Sequence, residues 1–347
     1  MCTHAGCAPH VCFIIPPHIM EHVATHAQDP TLRQRALRNL YHQGRLRGMR
    51  ESMNQFAFAG LGTGTKRRTV YDAKHGSTLP GTLVRSEGQP DGKDVAVNEA
   101  YAYAGQTYDF YFDVLKRNSV DDKGMRLDSS VHYSTDYDNA FWNGQQMVYG
   151  DGDGQLFDRF TKCLDVIGHE LTHGVTQFTA GLDYNAQQGA LNESMSDVFG
   201  SLIKQYAAGE TADQADWLIG EGLLIPKAGT NRTALRSMKA PGTAYDDPTL
   251  GKDPQPATMK DYYSGSDDNQ GVHINSGIPN HAFYLAATKI GGKAWEVAGP
   301  IWYEVLTTRL KASSDFAEAA AATRDVARKY GAAATTAVDA AWKEVGL

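Results

Sequence analysis

The run His169-Glu170-Leu171-Thr172-His173 constrains this chain more than any other five residues. It lies in a stretch that reads as a helix, and residues four apart on a helix share a face. Both imidazoles can therefore bind one zinc ion. Glu170 stands one step round, where it can take a proton from an attacking water. The set suits metal-assisted hydrolysis of a peptide bond. A match of this kind arises by chance in roughly 4 in 100 chains of such length, so the rest of a zinc site has to be found.

A catalytic zinc needs a third protein ligand and one open position. Glu193, in Asn192-Glu193-Ser194-Met195-Ser196-Asp197, is the candidate. It follows His173 at a distance that suits a turn and a returning helix, with Gly181 and Gly189 between them where a loop would need them. Asp197 follows Glu193 on the same helix face. There it can accept the outer ring proton of a ligating histidine.

These residues carry a resemblance. The block 166–200 is similar to the zinc-binding core of thermolysin-like metalloproteases, and the similarity runs from about Thr69 to Leu347. Asn139-Ala140-Phe141-Trp142, Ala234-Leu235-Arg236-Ser237-Met238 and the run from Asp268 to Gly277 match further active-site segments. The resemblance implies an α+β, thermolysin-like two-lobe metalloprotease: a β-rich N-terminal lobe, a helical C-terminal lobe and the zinc helix at their junction. It implies one catalytic zinc on His169, His173 and Glu193, with Glu170 as general base and Asp197 behind the ligands. His273 and Tyr184 would stabilise the oxyanion, and Asp268 would orient His273. Asn139, Ala140 and Arg236 would hold the substrate backbone. Phe157, Phe160, Val166 and Leu235 would line an apolar pocket. Cleavage is then expected on the N-terminal side of large apolar residues.

The family's double calcium site is only partly matched. Asp165, Asp216 and Glu221 stand at its positions, but two other carboxylates are replaced by Lys204 and Leu218. Calcium wants six to eight oxygens, so at most one structural calcium is expected. The alternative is that Lys204 simply pairs with the acids. Asp151-Gly152-Asp153-Gly154 lacks the later ligands of a calcium loop and reads as a turn.

Charge divides the chain. Residues 1–68 hold nine Lys/Arg against three Asp/Glu, a balance of +6, and the remainder carries −13. A basic leader is expected to dock on the acidic body. Nucleic-acid binding through Arg33, Arg35, Arg38, Arg45, Arg47 and Arg50 is the rival reading, but no recognition fold accompanies these arginines. Ile15-Pro16-Pro17-His18-Ile19-Met20, and a helix capped by Asp29 with a Leu32, Ala36, Leu37, Leu40 stripe, resemble the short propeptide of the protealysin-like branch. The resemblance implies a precursor with a propeptide over 1–60, an N-terminal lobe over 61–184 and a C-terminal lobe over 185–347. Self-cleavage is expected between about Gly48 and Thr69. Pro16, Pro17, His18, Ile19 and Met20 would enter and block the cleft. The other route to latency is Cys12, or a nearby histidine, on the open zinc position.

Cys2, Cys7, Cys12 and Cys163 do not form a disulfide scaffold. Cys2, Cys7 and Cys12, with four residues between neighbours and His4 and His10 interleaved, could bind a metal but fit no standard zinc-finger pairing, and a floppy tail is the simpler reading. Short alternating runs such as Thr69-Val70-Tyr71 and His132-Tyr133-Ser134 read as strands, and Val95 to Leu115 reads as a helix. No apolar run is long enough for a membrane span, and no basic-then-apolar signal opens the chain. The expected partners are protein and peptide substrates and the chain's own propeptide, with room for a proteinaceous inhibitor but no nucleic acid or membrane. A bacterial protein is expected, secreted without a standard signal or held as a cytoplasmic precursor. The rival class is a non-catalytic binding module on a metalloprotease fold, and the presence of both Glu170 and His273 argues against it.

Overall fold

A computed structural model describes residues 11–53 and 65–347. Cys2, His4, Cys7, His10, the Gly60–Gly64 stretch and the side chains of Arg47 and Arg50 lie outside the described residues. The chain opens with a short strand β1 (Cys12–Phe13) and two helices, α1 (Pro17–His26) and α2 (Pro30–Met53). Next come β2 (Arg68–Asp72), β3 (Thr82–Ser86), α3 (Val95–Asp113), β4 (Leu127–Val131), β5 (Ala140–Trp142) and β6 (Met147–Tyr149). Helices α4 (Leu164–Gln177) and α5 (Ala186–Ala208) follow. Five short strands come after them, β7 (Leu218–Ile219), β8 (Asn231–Arg232), β9 (Arg236–Ser237), β10 (Tyr245–Asp247) and β11 (Gly251–Lys252). The chain closes with α6 (Asp267–Asn275), α7 (Gly277–Ile290), α8 (Ala298–Thr308), α9 (Phe316–Ala327) and α10 (Ala332–Glu344). This is the two-lobe α+β architecture that the resemblance implies.

Six strands form one mixed sheet in the order β1-β5-β6-β4-β2-β3. Its edge next to β5 is completed by β1, which pairs antiparallel with Cys12 opposite Trp142 and Phe13 opposite Phe141. An edge strand offers a row of unpaired backbone groups, and here the leader takes them up. The leader continues into α1, whose Pro17 sits at the first helical position, where a missing N–H costs nothing. Helix α2 begins as expected, with Asp29 Oδ1 accepting from the Thr31 amide at 2.8 Å. Its inward face differs from the expected stripe: Leu32, Ala36, Asn39 and Gln43 are buried, while Leu37 is exposed. The 3.6-residue period carries the face through 32, 36, 39 and 43, which leaves position 37 outside it. Arg35 reaches Asp136 at 3.0 Å, and the Asn39 side chain accepts from the Asp138 amide at 3.1 Å, so charge and amide contacts add to the apolar docking of Leu32 and Ala36.

His132-Tyr133-Ser134 is not a strand. β4 ends at Val131, and His132 and Ser134 both have positive φ, 55° and 57°, which breaks the pleat. Among the described helices, α4 and α5 pack against each other most extensively. Positions 165–176 of α4 are buried all round. Two backbones meet there because Gly200 has no side chain: a Cβ on it would lie 2.5 Å from the Asp165 carbonyl oxygen. Gly189 is not a loop glycine either. It lies inside α5, and a Cβ there would stand 2.4 Å from Val272 Cγ1, so the residue is fixed by packing against α6.

Candidate active site

Helix α4 projects His169 and His173 from one face toward α5, which returns Glu193 and Asp197. The two Nε2 atoms are 3.0 Å apart. One Glu193 carboxylate oxygen lies 3.4 Å from His169 Nε2, and the other lies 3.5 Å from His173 Nε2. Zinc bonds of about 2.0–2.1 Å at tetrahedral angles require ligand separations of about 3.3 Å, so the donor set fits zinc. The outer ring nitrogens are anchored. His169 Nδ1 is 2.7 Å from Asp197 Oδ1, and His173 Nδ1 is 2.9 Å from Asn192 Oδ1 and 3.0 Å from Ser196 Oγ. Each ring is thus turned with Nε2 toward the site. Sequence reasoning found Asp197 but not Asn192 or Ser196. The signal was available, because 192 and 196 are four apart on the same helix.

Asp197 does more than hold His169. It accepts from Arg236 Nε and a terminal nitrogen, both at 2.8 Å, and from the Asn280 amide at 2.8 Å. Arg236 therefore sits behind the metal site as well as beside the cleft. Glu170 Oε2 accepts from the Trp142 amide at 2.9 Å, and its Oε1 is buried with no hydrogen-bond partner. His273 Nδ1 lies 2.6 Å from Asp268 Oδ1, while Asp268 Oδ2 accepts the His273 amide at 2.7 Å. That contact needs an unusual backbone: Asp268, Asn269 and Gln270 have φ of 53°, 50° and 62°, a left-handed turn inside α6. Tyr184 donates to Glu193 Oε1 and stands 3.2 Å from His273 Nε2.

The leader occupies the same groups. His273 Nε2 is 3.0 Å from the Phe13 carbonyl oxygen. The Ile14 amide donates to the Ala140 carbonyl at 3.2 Å, and Arg236 donates to the Ile14 carbonyl at 3.2 Å. Asn139 forks onto Ile15, accepting its amide at 3.0 Å and donating to its carbonyl at 3.3 Å. The residues that meet the predicted catalytic and substrate-binding groups are thus 13–15, just before the proline pair. Pro16 and His18 line a small cavity with Leu235, Arg236 and His273. Pro17, Ile19 and Met20 are buried on α1. Phe157, Phe160, Val166 and Leu235 are buried in the main core, which also takes in Ile14 and Ile15.

Burial sets the electrostatics. It pushes the Glu170 carboxyl up to about 8 and the His173 ring down to about 3. For His169 burial is outweighed by Asp197 and Glu193, which push it up to about 9. Burial likewise opposes ionisation of Asp197, but Arg236 and His169 outweigh it and hold the carboxyl at about 2. His273 is also raised, because Asp268 and Glu193 outweigh burial. At the calcium-like cluster, Lys204 Nζ lies 2.6 Å from Asp216, 3.6 Å from Glu221 and 3.8 Å from Asp165. The three predicted carboxylates do come together, with an ammonium among them.

The chain matches known proteins along almost its whole length. Residues 48–177 match the catalytic domain of thermolysin metallopeptidase, and residues 180–347 match its alpha-helical domain. An extracellular metalloprotease of Pectobacterium carotovorum subsp. carotovorum is 49% identical over 339 residues, covering 97% of this chain and 96% of that one. Protease PrtS of Photorhabdus sp. (strain Az29) is 53% identical over 287 residues, covering 82% of this chain and 77% of that one. The solved precursor of protealysin, a metalloproteinase from Serratia proteamaculans, superposes with a TM-score of 0.87 at 52% identity, covering 96% of this chain and 99% of that one.

Proposed function

This chain belongs to the thermolysin family of zinc metallopeptidases and is a metalloendopeptidase that carries its own propeptide; on that premise we propose how its residues divide the work. His169, His173 and Glu193 hold the zinc, which when bound polarises the water and the carbonyl facing it. Glu170 takes the proton of the attacking water and hands it on to the leaving amine. Its buried, unpartnered Oε1 supports that role. His273 and Tyr184 donate to the developing oxyanion, and Asp268 keeps His273 charged and aimed. Arg236, Asn139 and Ala140 hold the peptide backbone on the side of the leaving group.

The observation that carries this reading is the leader itself. Phe13, Ile14 and Ile15 engage His273, Ala140, Arg236 and Asn139 through backbone groups alone, as any extended peptide could. A substrate must displace that strand, so the precursor is latent until residues 11–20 leave. The apolar character of Phe157, Phe160, Val166 and Leu235 supports a preference for cleavage before a large apolar residue. The division into propeptide 1–60 and lobes 61–184 and 185–347 follows from the same reading. At the Asp165, Asp216 and Glu221 cluster we favour the lysine alternative, in which Lys204 supplies the positive charge in place of calcium. Relatives named extracellular, from Pectobacterium carotovorum subsp. carotovorum and Serratia marcescens, support secretion. A proteinaceous inhibitor would act at the same cleft.

The test is Glu170→Ala. It is expected to keep one zinc per chain, to lose hydrolysis of peptide substrates and to remain uncleaved. Undiminished turnover in this variant rules out the general-base assignment.

A further inference from the structure

Strand geometry sends alternate side chains to opposite faces. Val11 and Phe13 pack with Tyr133, Tyr137 and Phe141 on one side of the sheet. Cys12 points the other way, into a buried group with Tyr184 and Val272. There its Sγ, a His173 ring nitrogen and a Glu193 carboxylate oxygen all lie within 4.8 Å of one another. We propose that Cys12 is the fourth zinc ligand of the precursor, its sulfur taking the position that water occupies in the active enzyme. The proposal rests on the zinc-hydrolase reading above and adds a chemical latch to the steric block.

Three further observations support it. First, His169, His173 and Glu193 supply three ligands, which leaves one position open, and sulfur is a ready zinc donor. A sulfur and a nitrogen on the same tetrahedral zinc would be about 3.5 Å apart, so toward His173 the upper bound of 4.8 Å asks for at most about 1.3 Å of closure, the scale of a side-chain rotamer change. Second, Glu193 Oε2 is fully buried and makes no hydrogen bond, with His169 Nε2 facing it at 3.4 Å, so the site holds an acceptor that a cation between the two would satisfy. Third, the register of the leader is fixed on both sides of the cysteine. Cys12 pairs with Trp142, the Phe13 carbonyl meets His273, and Ile15 is held by Asn139. A slip of one residue would turn Cys12 out of the site and Phe13 into it.

The step is an exchange of ligands. The thiol gives its proton to solvent, and its sulfur bonds to zinc as a water departs. Removal of the leader reverses it: water takes the vacated position, and the thiol regains a proton.

Cobalt(II) exchanged into the full-length Glu170→Ala precursor provides the test. A bound thiolate gives a sulfur-to-cobalt charge-transfer band in the near ultraviolet, a readout independent of activity. The band is expected in this precursor and in a version with Cys2→Ser and Cys7→Ser. It should disappear on adding Cys12→Ser, with metal removal by a chelator faster by on the order of 10-fold or more. Tetrahedral cobalt without a sulfur band, or a band that survives Cys12→Ser, overturns the proposal while the zinc site stands. The first of those outcomes needs no variant at Cys12, so a misfolded Cys12→Ser does not protect the idea. Failure to bind cobalt or zinc at all would instead overturn the enzymatic reading beneath it.

Discussion

Replacing Asp197 by alanine should damage stability, zinc affinity and substrate binding together, because one buried carboxylate serves all three. Asp197 is fully buried and accepts from His169, twice from Arg236, and from Asn280. Its removal leaves the Arg236 guanidinium buried without its carboxylate, a change that usually costs about 3–5 kcal/mol. A second route gives a similar scale. The carboxyl is held at about 2 against an ordinary 3.8, which corresponds to about 2 kcal/mol of linked stability. Because the folded-state value is depressed, that contribution is complete above pH 4 and fades as the pH falls through 2. The deficit of the variant should therefore be flat across neutral pH. Loss of the His169 partner should weaken zinc by about 10–100-fold, removing a further 1.4–2.7 kcal/mol or so of metal-linked stability. The assay is urea unfolding of Asp197→Ala in a Glu170→Ala background, with and without zinc, alongside a zinc competition titration. A deficit under about 1 kcal/mol with unchanged zinc affinity would refute the reasoning, since four buried contacts cannot be lost so cheaply.

Other expectations concern the leader and the cluster around Lys204. Burial holds the His18 ring at about 4 against 6.5, so docking of the leader is fullest above pH 6.5 and weakens by about 3 kcal/mol as the pH falls past 4. Hydrogen exchange of residues 12–26 in the Glu170→Ala precursor should show this loss. His18→Gln should flatten the profile, and an unaltered profile would dismiss His18 as the sensor. If the Lys204 ammonium replaces calcium, the melting temperature of the parent should not respond to calcium or to a calcium-selective chelator. Lys204→Ala should then lose on the order of 1 kcal/mol, a modest figure because the partly exposed pair is screened. A clear calcium dependence in the parent would favour a bound ion instead. Asn139→Ala in the mature enzyme should lower kcat/KM on the order of 10-fold through the lost backbone contacts, and an effect confined to kcat would argue against a positioning role.

The candidate zinc site is largely legible because its information is local. His169, Glu170 and His173 fall within five residues, Glu193 and Asp197 within another five, and helical geometry alone assigns their faces. Asp268 and His273 were reached through the resemblance, and no pattern announces the left-handed turn that joins them. The contacts of the leader were harder. Ile15 meets Asn139 across 124 residues, and the Phe13 carbonyl meets His273 across 260. On the leader these contacts use backbone groups, which leave no trace in side-chain identity, so the proline pair is conspicuous in the sequence while the adjoining residues 13–15 make the bonds. Gly189 differs from its expected loop role for a related reason: a glycine serving a close helix contact looks in sequence like a glycine serving a loop.

The most direct test of the account follows the intact chain and its metal together. Purified wild-type protein at neutral pH should carry one zinc and show no peptidase activity at first. By mass spectrometry it should then lose its leader at a bond between about Gly48 and Thr69 as activity appears, with both events blocked by a zinc chelator. Full activity in the uncleaved chain, or leader loss and activity that ignore the chelator, would contradict it.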